Sequence, residues 1–299
     1  MIVFVGPTAI GKSSLAIKIA GHYQTEIISA DSRQFYRELN AGTAKPSEAE
    51  LNHVTHHFIN SLSIHDSYSV GQFEIDSLAR LDQLFNSHDV VVAVGGSGLF
   101  IDALCHGLDQ IHESDPDLRL ELKRLFKEKG MEALQLKLSQ LDPEYYGTVD
   151  LSNPHRLIRA IEVCMLTGEK YSGFRKNEKK KRNFSIVKIG LNDERSIVYQ
   201  RISERVDAMI NAGLLEEAKE FFSLRHLNAL KTVGYRELFD CLDKRLSPDE
   251  AIELIKRNTR RYAKRQLTWF RRDQEINWFK TDEAPKIIEL LDQKINDGN

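Results

Sequence analysis

Three short aliphatic runs punctuate the first hundred positions, at Ile2–Val5, Glu26–Ser29 and Val90–Val94. Their apolar residues are consecutive rather than alternating, which is the pattern of strands that are buried on both faces of a parallel sheet. Helical periodicity lies between the runs, over Ser14–His22 and Gln72–Phe85. Strands that alternate with helices in this way predict right-handed crossovers and a P-loop NTPase-like α/β fold, with the chemistry at the carboxyl ends of the strands.

A different pattern extends from about Ser114 to Thr167, where apolar residues recur at helical spacing and no strand-like run is present. These residues are Leu118, Leu122, Leu125, Met131, Leu134, Leu138 and Leu141. A basic, polar stretch follows over Gly168–Asn183, after which Ile186–Leu191 resumes a strand. We therefore predict a core of residues 1–113 and 184–299 and an inserted all-helical subdomain of residues 114–183. Further helices are expected over Ser196–Ala212, Leu214–Leu224 and Ser247–Asp273.

Composition and charge narrow the class of protein. The net charge of −2 provides no global attraction to nucleic acid, so any such attraction must come from local basic patches. Cys105, Cys164 and Cys241 lie far apart without C-x-x-C spacing, which favours a reducing compartment over a disulfide framework or a structural zinc site. The run Met1–Val5 is too short for a signal peptide or a membrane span. We expect a cytoplasmic protein.

The strongest motif follows the first predicted strand and matches G-x-x-x-x-G-K-S in full. Its residues are Gly6, Pro7, Thr8, Ala9, Ile10, Gly11, Lys12 and Ser13. In this motif backbone N–H groups and a helix N-terminus form an anion nest, the lysine supplies a positive charge and the serine a hydroxyl for magnesium. A glycine-rich turn that merely caps a helix is the weaker reading, because the flanking strand and helix fit a P-loop. The motif leans towards ATP, but it does not say whether the phosphates are hydrolysed, transferred or released.

Two further strand ends carry polar residues. Asp31-Ser32-Arg33-Gln34 follows the second strand, and its aspartate is a candidate magnesium ligand through water, a candidate general base, or only the N-cap of a helix. Gly95-Gly96-Ser97-Gly98 follows the third strand and either presents the Ser97 hydroxyl to a ligand or forms a tight turn into a helix. The histidines at 53, 56 and 57 lack supporting cysteine or carboxylate ligands, so a metal site there is disfavoured.

A basic segment closes the last long helix. Eight lysines and arginines and no acidic residue lie between Lys256 and Arg272. Five of them form a helical stripe, namely Arg257, Arg260, Arg261, Lys264 and Arg265. Such a run is usually a solvated helix face, and the absence of compensating acids leaves a polyanionic partner as the alternative. We expect Trp269 and Phe270 to belong to the core.

Several segments together resemble the tRNA dimethylallyltransferase family, also called tRNA isopentenyltransferases, of the bacterial type. They are GPTAIGKS, SADSRQFYRELNAGTAKP, VTHHFIN, YSVGQF, VGGSGLF, NPHRLIRAIEV, KTVGYREL and RRYAKRQLTWFRRD. The resemblance extends from Ile2 to about Phe279. It implies a Mg²⁺-dependent transfer of a dimethylallyl group from its diphosphate to the exocyclic amine of the adenine 3′-adjacent to the anticodon. It also implies that the P-loop holds the prenyl diphosphate rather than ATP.

The resemblance further implies roles for individual residues. Lys12 and Arg205 contact the diphosphate, Ser13 is the protein ligand of the metal, and Asp31 is the general base. Ser97, where the family usually has threonine, places a hydroxyl between the amine and the phosphate. The implied tRNA contacts are Asp31, Ser32, Arg33, Gln34, Ser97, Arg119, His155, Arg156, Leu157, Ile158, Arg159, Lys231, Thr232, Val233, Gly234, Tyr235 and Arg236.

Three other functions compete with this one. A P-loop kinase of a small molecule would have arginines committed to ATP and no basic C-terminal stripe. An adenylate isopentenyltransferase would modify free nucleotides and would not need a basic surface. An RNA-binding module that uses the P-loop only structurally would leave Asp31 without a task. We expect a monomer that acts on tRNA and dimethylallyl diphosphate and has no membrane partner.

Overall fold

A parallel sheet forms the centre of the computed structural model, which describes residues 1–109, 111, 114–176 and 178–297. Within these residues the sheet has six strands in the order β3-β2-β4-β1-β5-β6, and every neighbouring pair is parallel. The strands are β1 (Ile2–Val5), β2 (Ile27–Ser29), β3 (His56–His57), β4 (Val92–Val94), β5 (Val187–Leu191) and β6 (Ile276–Phe279). The four strands predicted from aliphatic runs are confirmed, and so is the parallel α/β fold.

Helices cover both faces of this sheet. Alternate residues of β1 point to opposite faces, so Phe4 contributes to one hydrophobic cluster and Val3 to another. The helices between β1 and the inserted helical segment are α1 (Lys12–His22), α2 (Glu48–His53), α3 (Val70–Leu84) and α4 (Gly98–His106). Leu15 and Ile19 of α1 pack with Phe4, whereas Phe73 of α3 packs with Val3. Burial on both faces explains why these strands read as continuous apolar runs.

The second compact unit comprises residues His106–Lys181, whereas the first comprises Met1–Cys105 and Arg182–Asn299. It contains α5 (Pro116–Leu141), α6 (Pro143–Tyr146), α7 (Pro154–Thr167) and α8 (Tyr171–Phe174). The leucine periodicity reflects its core, in which Leu122, Leu134 and Leu138 pack against α7. Its C-terminal boundary falls before the predicted residue 183 because Arg182 belongs to the first unit. There the Arg182 guanidinium donates to Leu104 O at 3.0 Å and to Glu74 Oε1 at 3.1 Å.

The remaining helices follow β5. They are α9 (Arg195–Asn211), α10 (Leu214–Glu220), α11 (Tyr235–Leu242), α12 (Pro248–Phe270) and α13 (Ala284–Asn296). Two short 3₁₀ turns, at Phe222–Leu224 and Asn228–Leu230, connect α10 to α11. Helix α12 spans two parts of the core, because Ile255 packs with α10 and α11 whereas Phe270 packs against the sheet. It therefore links the C-terminal helices to the strands.

Two strands were not predicted. Strand β3 consists of only two residues, both histidines, and it lies at an edge of the sheet. Strand β6 lies at the other edge, and only its first residue is buried. Edge strands bury too little surface to leave a continuous apolar run in the sequence. In the residues that the structure describes, no helix is both long enough and apolar enough to span a membrane.

Candidate functional site

The site lies where three neighbouring strands end. Because β2, β4 and β1 are adjacent and parallel, their carboxyl ends bring together the loops at Gly6–Ser13, Asp31–Gln34 and Gly95–Gly98. The middle loop is tightly packed, since Gly95 N donates to Phe4 O at 3.1 Å and Ala30 N to Val94 O at 2.8 Å. A Cβ atom on Gly95 would lie 2.5 Å from Ala30 O, so no larger residue fits there without a shift of backbone. All three strand ends singled out in the sequence thus meet at one edge.

The P-loop turns sharply before α1 begins at Lys12. Three of its residues have positive φ angles, 144° at Gly6, 64° at Ala9 and 96° at Gly11. Glycine is needed at the first of these positions, because a Cβ on Gly6 would collide with Leu191 O of the neighbouring strand. The first N–H groups of α1 have no partner within the helix, so they are available to an anion held inside the turn. This backbone is an anion nest at a helix N-terminus.

Two cations and one carboxylate interact across this nest. The Lys12 ammonium donates to Pro7 O at 2.7 Å. Burial and the nearby Arg205 guanidinium lower the pKa of Lys12 to about 7, although the Asp31 carboxylate acts in the opposite direction. Burial also lowers the pKa of Arg205, and Asp31 again opposes the shift. The site thus holds two partly desolvated cations and only one carboxylate. A multiply charged anion would neutralise the remaining positive charge.

Asp31 caps a turn rather than a helix. Its Oδ1 accepts the Arg33 N–H at 2.9 Å, and the next helix along the chain is α2, which begins only at Glu48. Its carboxylate charge and burial raise the pKa of Tyr262 to about 12, burial being the larger cause. The Ser97 hydroxyl reaches the hydroxyl of Ser32 at 3.5 Å, a weak contact that joins the second loop to the third. Asp31 thus lies on one loop with Ser32, whose hydroxyl meets that of Ser97, and its charge acts on both Lys12 and Arg205.

Three residues that hold this site were missed at the level of sequence. Gln266 is only 6% exposed, and its side chain accepts the Thr8 N–H and donates to Gly96 O, both at 2.8 Å. Arg201 donates to Ile10 O of the P-loop at 3.2 Å. Burial raises the pKa of Tyr262 on α12, and the charge of Asp31 adds to that effect. The one sequence signal for Gln266 is that its position on α12 falls away from the basic stripe.

The predicted tRNA contacts of the first unit divide by exposure. Lys231 and Arg236 are exposed, whereas Tyr235 is fully buried and packs in a hydrophobic cluster. Arg33 is partly committed to the fold, because its Nη1 donates to Asn228 O at 3.0 Å. The side chain of Gln34 is buried, and its Nε2 donates to Ala44 O at 3.2 Å. Ser32, Thr232 and Val233 are partly exposed, and Gly234 is buried with a φ angle of 103°.

The second unit presents a fixed pair of arginines. The carboxylate of Glu162, which is 0% exposed, accepts from Arg119 at 2.6 Å, from Arg159 at 3.0 Å and from Ser114 at 2.8 Å. Burial by itself raises the pKa of Glu162, but these three hydrogen bonds outweigh it and lower that pKa. Among the other predicted contacts, His155 and Arg156 are exposed, whereas the side chains of Leu157 and Ile158 lie in the core of this unit.

Helix α12 carries the basic stripe on its exposed surface. Arg257, Arg261, Lys264 and Arg265 are exposed, while Arg260 is partly buried, with its guanidinium carbon 5.9 Å from the Tyr199 ring centre. Lys256 is neutralised by Asp207 of α9 at 2.8 Å, an acid that the local sequence could not reveal. Phe270 is in the core, and Trp269 donates its indole N–H to Asp102 Oδ2 at 2.9 Å. Four of the five stripe residues are therefore exposed, and the paired Lys256 lies outside the stripe.

A parallel sheet whose first strand ends in an anion nest defines a P-loop-type, phosphate-binding α/β protein. The IPP transferase family model matches residues 34–273, and the chain belongs to that family.

Similar proteins bear this out. The tRNA dimethylallyltransferase of Christiangramia forsetii is 54% identical over 297 residues, which cover 99% of this chain and 98% of that protein. The solved structure of the tRNA isopentenylpyrophosphate transferase from Bacillus halodurans has a TM-score of 0.72 and 35% identity, covering 99% of this chain and 96% of the other. A eukaryotic dimethylallyltransferase acting on tRNA has a TM-score of 0.82 at 22% identity, covering 99% of this chain and 79% of the other, and supports the fold alone.

Substitution of Glu162 by Gln tests the arginine pair. We expect Glu162→Gln to lower the free energy of unfolding at pH 7 by about 1–3 kcal/mol, because two charge-assisted hydrogen bonds are weakened at a buried site. The pKa of Glu162 is below its ordinary value of 4.5, so its contribution is present above that pH and is lost as the pH falls through the folded-state pKa. Urea unfolding at pH 7 and at lower pH measures both effects.

The exposed Glu128 of α5 provides a matched control, and Glu128→Gln should change the unfolding free energy little at either pH. Equal destabilisation by the two variants, or a Glu162→Gln effect that grows towards low pH, would contradict this account.

Proposed function

We propose that this chain transfers a dimethylallyl group from dimethylallyl diphosphate to the exocyclic amine of the adenine 3′-adjacent to the anticodon of tRNA, releasing diphosphate. The observation that carries the proposal is that the loop of Asp31 and the P-loop lie at the same edge of the sheet, where the Asp31 carboxylate acts on both Lys12 and Arg205. A proton acceptor thereby lies beside a site for a multiply charged leaving group. The names of the relatives at 54% and 35% identity support the same reaction.

The departing diphosphate is the first requirement of this reaction. Breaking the bond between the allylic carbon and the oxygen leaves negative charge on the diphosphate, and the barrier falls if that charge is stabilised as it forms. The N–H groups of the P-loop, Lys12 and Arg205 serve this purpose. They are partly desolvated in the protein, so their attraction for the anion is stronger than it would be in water.

The second requirement is a nucleophile. The lone pair of an exocyclic adenine amine is delocalised into the ring, so the amine attacks well only if its proton is removed as the new carbon–nitrogen bond forms. We assign this proton to the Asp31 carboxylate. We assign the Ser97 hydroxyl, which lies at the end of the adjacent strand, to the orientation of the amine and the phosphate.

Magnesium is the proposed cofactor. Mg²⁺ prefers oxygen ligands and is commonly held by substrate phosphates, waters and one or two protein oxygens. The Ser13 hydroxyl fits this chemistry, because Ser13 lies in the first turn of α1, next to Lys12 and the anion nest. When bound, the ion would supply Lewis-acid neutralisation of the diphosphate.

The tRNA would be held by exposed side chains that can donate hydrogen bonds to phosphate. Lys231, Arg236 and the exposed residues of the α12 stripe lie on the first unit, and His155 and Arg156 lie on the second. Contacts of this kind bind the phosphate backbone and carry little sequence information. The target adenine must leave its stack to reach Asp31, so base flipping is part of the proposal.

The choice of acceptor is tested with radiolabelled dimethylallyl diphosphate, Mg²⁺ and either tRNA or AMP. We expect label in tRNA alone, at the adenine next to the anticodon. Label in AMP alone would identify an adenylate isopentenyltransferase, and transfer of phosphate from labelled ATP without prenyl transfer would identify a kinase. Either of these results would overturn the proposal.

The role of Asp31 is tested by Asp31→Asn, which keeps the oxygen that accepts the Arg33 N–H but removes the base. We expect the single-turnover rate to fall by about 10²- to 10⁴-fold. The affinity for tRNA should hold, and that for diphosphate should hold or rise because a nearby negative charge is lost. Asp82→Asn, at an exposed position of α3, is the control and should match the wild type. Loss of tRNA affinity with an unchanged rate of the bound complex would make Asp31 a binding residue instead.

The contribution of Arg236 is tested by Arg236→Ala. Removing a cation that contacts phosphate should weaken tRNA binding and reduce the slope of log affinity against log salt by about one. Arg80→Ala, at an exposed position of α3, is the matched control and should leave both quantities unchanged. An unchanged salt slope for Arg236→Ala would remove this residue from the tRNA-binding surface.

A further inference from the structure

One side chain connects the two glycine-rich loops of the site. The Gln266 carboxamide, projecting from α12, accepts the Thr8 N–H of the P-loop and donates to Gly96 O of the loop that carries Ser97, both at 2.8 Å. We propose that Gln266 is a positioning residue, which fixes the separation between the loop that holds the diphosphate and the loop that carries Ser97. The inference rests on the proposed function, because it assigns the two loops to the two reaction partners.

The geometry leaves little freedom at this contact. The loops leave neighbouring strands, β1 and β4, which are hydrogen-bonded to each other. A Cβ atom on Gly96 would collide with Gln266 Nε2 and would lie 3.8 Å from Lys12 Nζ. The amide and the Lys12 ammonium therefore both lie beside the position that a side chain on Gly96 would occupy. The absence of a side chain at Gly96 is what lets the carboxamide approach the loop backbone.

Glutamine suits this position because its terminal group is both an acceptor and a donor. Its Oε1 accepts the Thr8 N–H, and its NH₂ group donates to Gly96 O. An amide has two donors and one acceptor oxygen, so these two bonds use both ends of the group. At 6% exposure water cannot easily replace them, and a buried polar group without partners is costly.

The reaction depends on the spacing that this amide sets. The diphosphate is held by the P-loop and Arg205, and neither belongs to the loop that carries Ser97, so diphosphate affinity need not depend on that loop. Transfer requires the amine, near Ser97 and Asp31, to approach the allylic carbon of the diphosphate ester in the correct geometry. A displacement of about 1 Å can cost about a hundredfold in rate. Loss of the bridge should therefore lower kcat more than it lowers diphosphate affinity.

The test is Gln266→Met, which keeps the length and approximate volume of the side chain and removes both hydrogen bonds. We expect kcat for prenyl transfer to fall by about 10- to 100-fold. The Kd of inorganic diphosphate, measured by calorimetry with Mg²⁺, should change by less than about threefold. Gln293→Met makes the same substitution at an exposed position of α13 and should leave both quantities unchanged. A thermal unfolding curve for each variant reports whether it is folded.

Gly96→Ala disrupts the same contact from the other side. Its Cβ would displace the Gln266 carboxamide while the sequence of α12 stays unchanged. If both substitutions act by breaking the Gln266 contact, their effects should not multiply. The kcat of the double variant should then lie within about threefold of that of the less active single variant. Multiplicative losses in the double variant would overturn the inference, as would an unchanged kcat or a parallel loss of diphosphate affinity in Gln266→Met. If Gln266→Met does not fold, Gly96→Ala must show the same split between kcat and Kd, and failure to do so overturns the inference.

A failure of the proposed function can be distinguished from a failure of this inference. If the proposed function is wrong, the wild type and Gln293→Met transfer no prenyl group to tRNA, whatever the effect of substituting Gln266.

Discussion

Parallel pairing of β2, β4 and β1 is the constraint on which the rest of the site depends. Parallel strands end at a common edge, so three loops that are distant in sequence become neighbours there. The pairing also forces the tight turns. Gly6 lies against the carbonyl of Leu191 and Gly95 against that of Ala30, and neither position has room for a side chain. The anion nest, the carboxylate at position 31 and the serine at position 97 are thus placed by the backbone before any side chain contributes.

Electrostatics then determines what this edge can hold. Burial lowers the pKa of both Lys12 and Arg205, and the charge of Asp31 offsets only part of that decrease. A site with this imbalance binds a multiply charged anion more favourably than water does, because the cations are already desolvated and oriented. The same carboxylate that moderates the cations is the group that can take a proton from an amine. In the proposed reaction, binding of the leaving group and activation of the nucleophile would therefore depend on one cluster of charges.

The features that the sequence predicts are those encoded by local pattern. Strand β1 and the P-loop were predictable because a fully buried strand must be apolar at every position and the nest needs glycine at fixed places. Strands β3 and β6 were not, since edge strands tolerate polar residues. Helical periodicity separates His155 and Arg156 on the surface from Leu157 and Ile158 in the core, yet a family motif treats them as one run. Gln266 bonds to Thr8, which is 258 residues away in sequence, and Glu162 bonds to Arg119, which is 43 residues away. Sequence spacing cannot predict contacts over such separations.

Helix α12 shows why such long-range polar residues matter. One of its faces is basic and exposed, its ends are anchored in two hydrophobic clusters, and its one buried glutamine contacts both glycine-rich loops. The apolar anchors resist displacement because close-packed cores tolerate few intermediate positions. One element therefore carries both an exposed basic surface and the side chain that bridges the two glycine-rich loops.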